Sequence, residues 1–144
     1  MSLALTIADA MAARLNALAS LPGAMALVDR QKDVRSEVAA RLLKSAGAAA
    51  VILYEGFSNP DANGSGLPRV TRRYTLTLYA RPIIRDSAEI PADDIIEIIA
   101  RALHNWEPAE SAAGFFEIHV SGGDLRPDQK YLIYDLDIEV LSRL

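Results

Sequence analysis

Two long segments of this 144-residue chain alternate apolar and polar side chains, and this pattern constrains the fold more than any other feature. They cover residues 69–81 and 131–141. Because successive side chains of a β-strand point to opposite faces, each segment is predicted to form a strand with one buried face. The apolar members are Tyr74, Leu76, Leu78 and Ala80 in the first segment, and Leu132, Tyr134, Leu136, Ile138 and Val140 in the second.

Three helical segments are interleaved with the strands. The first precedes Pro22-Gly23, the second runs from Asp33 to Gly47, and the third runs from Pro91 to Pro108. The order of elements is α-β-α-β-β-α-β-β, with strands that follow one another across non-helical connections. The last of these connections is predicted to be a loop that contains Gly122-Gly123 and Pro127, between a strand over residues 115–121 and the final strand. This order predicts an α+β fold, with a mostly antiparallel sheet of four to five strands and about three helices packed on one face. The length suits a single domain over residues 1–144.

The composition excludes several classes of function. The chain contains no cysteine, which removes thiolate metal sites, thiol catalysis and disulfides. A pI near 5.1 and a net charge of −4 argue against a nucleic-acid binder that relies on a basic field. Asp9 and Arg14 interrupt the apolar N-terminal segment, and no basic residue precedes it, so we expect a soluble protein made inside the cell with no membrane partner.

The face of the sheet away from the predicted core is mixed in character. Tyr79, Tyr131 and Ile133 fall on it by alternation, among threonine, arginine and aspartate residues. Such a face is either covered by another subunit or is a solvated surface with scattered apolar residues. The nearly continuous apolar segment 49–57 predicts a strand covered on both faces, by helices or by helices and a partner.

Asp135, Asp137 and Glu139 form the most distinctive group of ionisable residues. They stand in a row on one face of the last strand, and such a row offers oxygen ligands of the kind that Mg²⁺ prefers. The row spans about 13 Å by strand rise, too far for one ion to collect all three. The simpler interpretation is a salt-bridged face, opposite Arg73 and Arg81 on another strand or another subunit.

Other motifs give weaker signals. Arg69, Arg72 and Arg73 beside Tyr74 form a small basic cluster that suggests a nucleic-acid contact, although neighbouring strand residues face opposite ways. The two histidines, His104 and His119, lack partners at metal-ligand spacing. Neither a phosphate-binding glycine motif nor a serine nucleophile motif is present. We therefore predict no catalytic, cofactor-binding or metal-ligating residue.

The chain resembles the tail terminator and tail-completion (minor tail) proteins of tailed bacteriophages and prophages. The likeness rests on the length, a short N-terminal helix leading to a strand, and the strand segment Arg72-Arg73-Tyr74-Thr75-Leu76-Thr77-Leu78. It rests also on segment 95–108, which ends in Ala-Leu-x-x-Trp-x-Pro, and on the closing hairpin. These features follow the family's order over most of the chain.

The resemblance implies a virion structural protein without enzymatic activity or cofactor. Family members form rings, usually hexamers, that cap the tail tube and connect it to the head. The implied partners are further copies of the chain, the tail tube and the head–tail connector, and the implied location is the host cytoplasm during assembly and then the virion tail. The family assigns no interface residue here, because no binding motif matches residue by residue.

Charge patterning, by contrast, suggests specific subunit contacts. The predicted interface residues are Arg73, Tyr79, Arg81, Asp135, Asp137 and Glu139, whose opposite charges can pair between neighbouring subunits. Two alternatives stay open. One is a small metal-dependent hydrolase that uses the carboxylate row, and the other is a small-ligand or nucleic-acid binding module that uses residues 69–74.

Overall fold

A computed structural model describes nine ranges of the chain. They are residues 3–21, 23, 25–30, 37–40, 47–58, 69–80, 91–107, 115–127 and 132–143. The helices are α1 (Leu3–Asn16), α2 (the helical residues 37–40) and α3 (Ala92–Leu103). The strands are β1 (Ala26–Asp29), β2 (Ala48–Ser58), β3 (Arg69–Ala80), β4 (Phe115–Pro127) and β5 (Leu132–Arg143).

The five strands form one sheet in the order β1-β2-β3-β5-β4. The β2–β3, β3–β5 and β4–β5 pairs are antiparallel, and the β1–β2 pair is parallel. The α+β class and the mostly antiparallel sheet are therefore confirmed, with one correction, because the sheet is mixed. The long connection that carries α2 provides the crossover that parallel neighbours require.

Helices α1 and α3 cover one face of the sheet. Helix α1 contacts β1 and β2, α3 contacts β4 and β5, and the two helices contact each other. The core between them and the sheet includes Ile7, Met11 and Leu15 of α1, all fully buried. The predicted apolar face of β3 is confirmed, because Tyr74, Leu76 and Leu78 are buried in this core.

Strand β2 changes its surroundings halfway along its length. Residues 48–52 are all buried, which confirms the prediction of a strand covered on both faces for this half. From Leu53 onward the strand opens to solvent, and Leu53 is 38% exposed. A bulge between Tyr54 and Gly56 then shifts its register against β3.

The third helix ends earlier than its sequence pattern suggests. The predicted helix runs to Pro108, whereas α3 ends at Leu103 and Asn105 adopts a φ of 59°. The reason is a tertiary contact, because the Asn105 N–H donates to the carbonyl of Ile118 in β4 over 2.8 Å. Asparagine tolerates this left-handed conformation better than most residues.

Strand β4 is longer than predicted. The Gly122-Gly123 pair was expected in a loop, but it lies inside β4 and follows a register shift between Val120 and Gly122. Glycine inside a strand is typical of such a bulge.

Some residues that the sequence predictions use lie outside the described residues. They are Pro22, Asp33, Arg81, Pro108 and Tyr131. Among the residues that are described, no helix is long and apolar enough to cross a membrane.

Candidate functional site on the outer face of the sheet

The face of the sheet opposite α1 and α3, here called the outer face, carries most of the predicted site residues. In the β3–β5 register, Arg73 lies opposite Glu139, and Tyr79 lies opposite Ile133. Between these pairs, β5 contributes Asp137 and Asp135 to the same face. The antiparallel pairing thus brings together five of the six predicted interface residues, and the sixth, Arg81, lies outside the described part of the chain.

Asp135 is bound within its own chain. Its carboxylate accepts hydrogen bonds from Nε and Nη2 of Arg126, the latter over 3.2 Å, and from Thr77 Oγ1 over 2.9 Å. The Arg126 side chain is 58% exposed and that of Asp135 is 24% exposed. Arg126 was missed because the predicted loop at Gly122-Gly123 placed it outside any strand.

Asp137, Glu139 and Arg73 are in a different situation. All three side chains are exposed. Among the described residues, none of them has an ion-pair partner within 4 Å, although Arg73 and Glu139 lie directly opposite one another. These three charges are therefore available to a group outside the described residues. The charge of Asp135 is less available, because Arg126 already pairs with it.

Among the residues that the strand register places on the outer face, carboxylates outnumber arginines. The middle of β5 contributes three of these carboxylates at alternate positions. The acidic residues placed on this face by the strand register are Asp29, Glu55, Glu117, Asp124, Asp135, Asp137 and Glu139, and the arginines are Arg69, Arg73, Arg126 and Arg143. A face with this balance attracts positively charged surfaces and repels a phosphate backbone.

The described residues offer no metal centre. No three His, Cys, Asp or Glu side chains in the described ranges are arranged so that they could hold a metal ion. His104 and His119 do meet, with ring centroids 5.4 Å apart. However, Nδ1 of His104 accepts the backbone N–H of Val120 over 3.1 Å, which orients the ring against the edge of β4.

The basic cluster at the start of β3 is divided between the two faces. Arg72 lies on the core side and is only 6% exposed. Its Nε donates to Ser142 Oγ over 2.9 Å, and its Nη1 donates to Tyr54 Oη over 3.1 Å. Of the cluster, Arg73 alone is described on the outer face, and the side chain of Arg69 lies outside the described part.

Tyr74, the aromatic member of that cluster, is also buried. Its hydroxyl donates to the carbonyl of Ala4 in α1 over 2.8 Å. Burial raises the pKa of Tyr74 well above the usual range of a tyrosine. Neither Arg72 nor Tyr74 is placed to stack on a nucleic-acid base, so the described part of this cluster is not a continuous basic surface.

No protein-family model matches this sequence, and no curated protein matches it closely enough to count as a relative.

Proposed function

We propose that this protein is a structural component of a phage or prophage tail, a tail terminator or tail-completion protein. In this role it forms a ring, as a hexamer, at the end of the tail tube and joins the tube to the head. It acts in the host cytoplasm during assembly and then as part of the virion tail, and it performs no reaction.

The observation that carries the proposal is the set of exposed charges on the outer face that have no ion-pair partner among the described residues. Arg73 lies on β3, while Asp137 and Glu139 lie on the neighbouring strand β5. A ring repeats one heterologous contact, in which one patch of each subunit meets a different patch of the next. A neighbouring copy can bring its arginine to these carboxylates, and this complementarity of charge supports a contact between copies on this face.

The expected strength of each contact is small. An exposed ion pair contributes about 0–1 kcal/mol, so a ring held by such pairs depends on the repetition of the contact and on salt concentration. Apolar side chains add to it, since Leu53 and Tyr79 lie on the same face. Assembly is therefore expected to weaken as ionic strength increases.

The proposal is tested first by charge reversal. Asp137→Lys should shift native mass spectra from rings toward monomers, and adding Arg73→Glu should restore part of the ring population. Glu97→Lys is the matched control, because Glu97 carries the same charge, is exposed, and lies on α3 on the opposite side of the sheet. Equal behaviour of Asp137→Lys and Glu97→Lys would contradict the assigned contact.

A second experiment tests the role in the tail. Genes for tail-tube or sheath proteins should lie beside the gene for this chain. Co-expression with that tube protein, followed by negative-stain electron microscopy, should show additional ring density at the tube ends. Bare tube ends in the presence of a folded, pure protein would refute the function, whatever the outcome of the charge reversal.

A further inference from the structure

The two edge strands of the sheet differ in how their outward edges are covered. Strand β1 is short, and the carboxamide of Asn16 binds both the N–H and the carbonyl of Ala26. The first half of β4 is covered at Ile118 and Val120 by the backbone and side-chain contacts of Asn105 and His104. Such coverage is one way in which proteins prevent edge strands from pairing with other chains.

The second half of β4 is here called the open edge (residues 121–127), and no described residue protects it in this way. Residues 121–126 are all exposed, and Leu125 is 50% exposed. Among the described residues, no backbone or side-chain group hydrogen-bonds to the outward groups of Gly123 or Leu125. An exposed strand edge of this kind is a template for pairing with another strand.

The outward direction of the backbone at Gly123 and Leu125 follows from the ladder. Ile118 and Val120, whose backbone groups bind outward, lie opposite Val140 and Ile138 of β5. Hydrogen-bonded and non-hydrogen-bonded pairs alternate along an antiparallel ladder. Gly123 and Leu125 lie opposite Leu136 and Tyr134, which follow Val140 and Ile138 at every second position of β5 and therefore form the same kind of pair. The N–H and carbonyl groups of Gly123 and Leu125 therefore point away from β5, like the groups of Ile118 and Val120 that Asn105 and His104 bind.

The charges of the open edge select a partner. Asp124 lies directly opposite Asp135 in β5, an unfavourable pairing of like charges. Arg126 binds Asp135, while Asp124 has no ion pair within the described residues. A positive side chain from another molecule, placed beside Asp124, would give each of the two opposed aspartates a positive partner.

We infer that the open edge binds the same segment of a second copy of this chain, antiparallel and centred on Leu125. In this register Leu125 faces Leu125 of the second copy, and Asp124 faces its Arg126. The two Leu125 residues exchange both backbone hydrogen bonds, and each Gly123 N–H donates to the opposite Pro127 carbonyl. Pro127 has no N–H, so the ladder ends there. The contact goes beyond the proposed ring and does not depend on it.

The inference makes a geometric prediction that single cysteines can test, because the chain contains none. Residues in a hydrogen-bonded antiparallel pair have Cα atoms about 5.5 Å apart, within the range that a disulfide spans. Leu125→Cys should therefore form a covalent dimer under mild oxidation at low micromolar concentration. We expect this dimer to form at least about tenfold faster than through a random exposed cysteine.

Two exposed positions serve as controls. Ser121→Cys lies in the same strand, but the proposed register separates the two copies of this position by about 27 Å of strand rise. Phe57→Cys is on another strand and is 51% exposed, like Leu125. Cross-linking of Leu125→Cys no faster than of these two variants would overturn the inference.

Charge substitutions in the Leu125→Cys background test the register independently. Asp124→Arg should slow cross-linking, because it places arginine against Arg126 of the second copy. The double change Asp124→Arg with Arg126→Asp should restore the rate, and failure to do so in variants with unchanged melting temperatures would refute this register. Asp137→Lys should leave cross-linking unchanged, which separates this contact from the proposed ring.

Discussion

Replacement of Asn16 by alanine tests how the short edge strand β1 is held in the sheet. The side chain of Asn16, the last residue of α1, donates from Nδ2 to the Ala26 carbonyl over 3.0 Å and accepts the Ala26 N–H at Oδ1 over 2.9 Å. Ala26 itself is 2% exposed. The carboxamide thus replaces the backbone of a missing neighbouring strand, and its removal leaves both backbone groups of a buried residue without their partner.

The magnitude follows from these two hydrogen bonds. Each contributes about 0.5–1.5 kcal/mol net, and water can reach the edge once the side chain is gone, so the full penalty of an unsatisfied buried group does not apply. Alanine is also the better helix former by a few tenths of a kcal/mol. We expect Asn16→Ala to lower the free energy of unfolding by about 2 kcal/mol.

Urea unfolding followed by circular dichroism measures this loss. With a slope of about 2 kcal/mol per molar urea for a chain of this size, the midpoint should fall by about 1 M. Asn16→Asp should lose at least as much, because a carboxylate oxygen then faces the Ala26 carbonyl. Glu97→Ala is the control, since the exposed Glu97–Arg101 pair at 3.8 Å contributes about 0.5 kcal/mol or less. A loss in Asn16→Ala no larger than in the control would refute the reasoning.

Two further substitutions test the backbone and the buried hydroxyl. Gly56 has a φ of 126° and open space around its missing Cβ, so Gly56→Ala should lower the free energy of unfolding by about 1–2 kcal/mol through backbone strain alone. Gly122 has the same open space but no positive φ, so Gly122→Ala should cost less than about 0.5 kcal/mol. Thermal unfolding measures both losses. Tyr74→Phe should cost about 1–2 kcal/mol at pH 7, because the Ala4 carbonyl loses its donor. Burial raises the pKa of Tyr74, so above pH 10 the unfolded chain loses a proton that the folded chain keeps, and stability should fall with rising pH. Urea titrations from pH 7 to 11 should show a shallower fall in Tyr74→Phe, and identical slopes would contradict the assignment.

The faces of the long strands could be predicted from the sequence because strand periodicity is local. Alternation alone placed Tyr74, Leu76 and Leu78 in the core, and their burial confirms it. The parallel pairing of β1 with β2 could not be predicted in this way, because it depends on a crossover whose direction no local pattern encodes. The course of Gly122-Gly123 through β4 was also missed, since glycine pairs occur both in turns and in bulged strands.

The candidate site was only partly predictable, because strand periodicity is local whereas the pairing of side chains between strands is not. Alternation placed Asp135, Asp137 and Glu139 on one face, and the structure agrees. Which of them is neutralised internally depends on the β4–β5 register, which brings Arg126 to Asp135 and leaves Asp137 exposed. A sequence pattern gives the face of a side chain, whereas its partner is a property of the neighbouring strand.

The two proposed contacts use different directions of the same sheet. The charges of Asp137 and Glu139 project from the outer face, whereas the backbone of Gly123 and Leu125 binds within the plane of the sheet. Contacts in perpendicular directions do not compete for the same atoms, so one copy can engage a ring neighbour and an edge partner at the same time. A cyclic contact combined with a two-fold contact generates a closed double ring when the two-fold axis crosses the ring axis at a right angle, because each ring then pairs with a second ring through its edges. In that arrangement, substitutions at Asp137 dissociate the ring and leave edge-paired dimers, while those at Leu125 leave single rings.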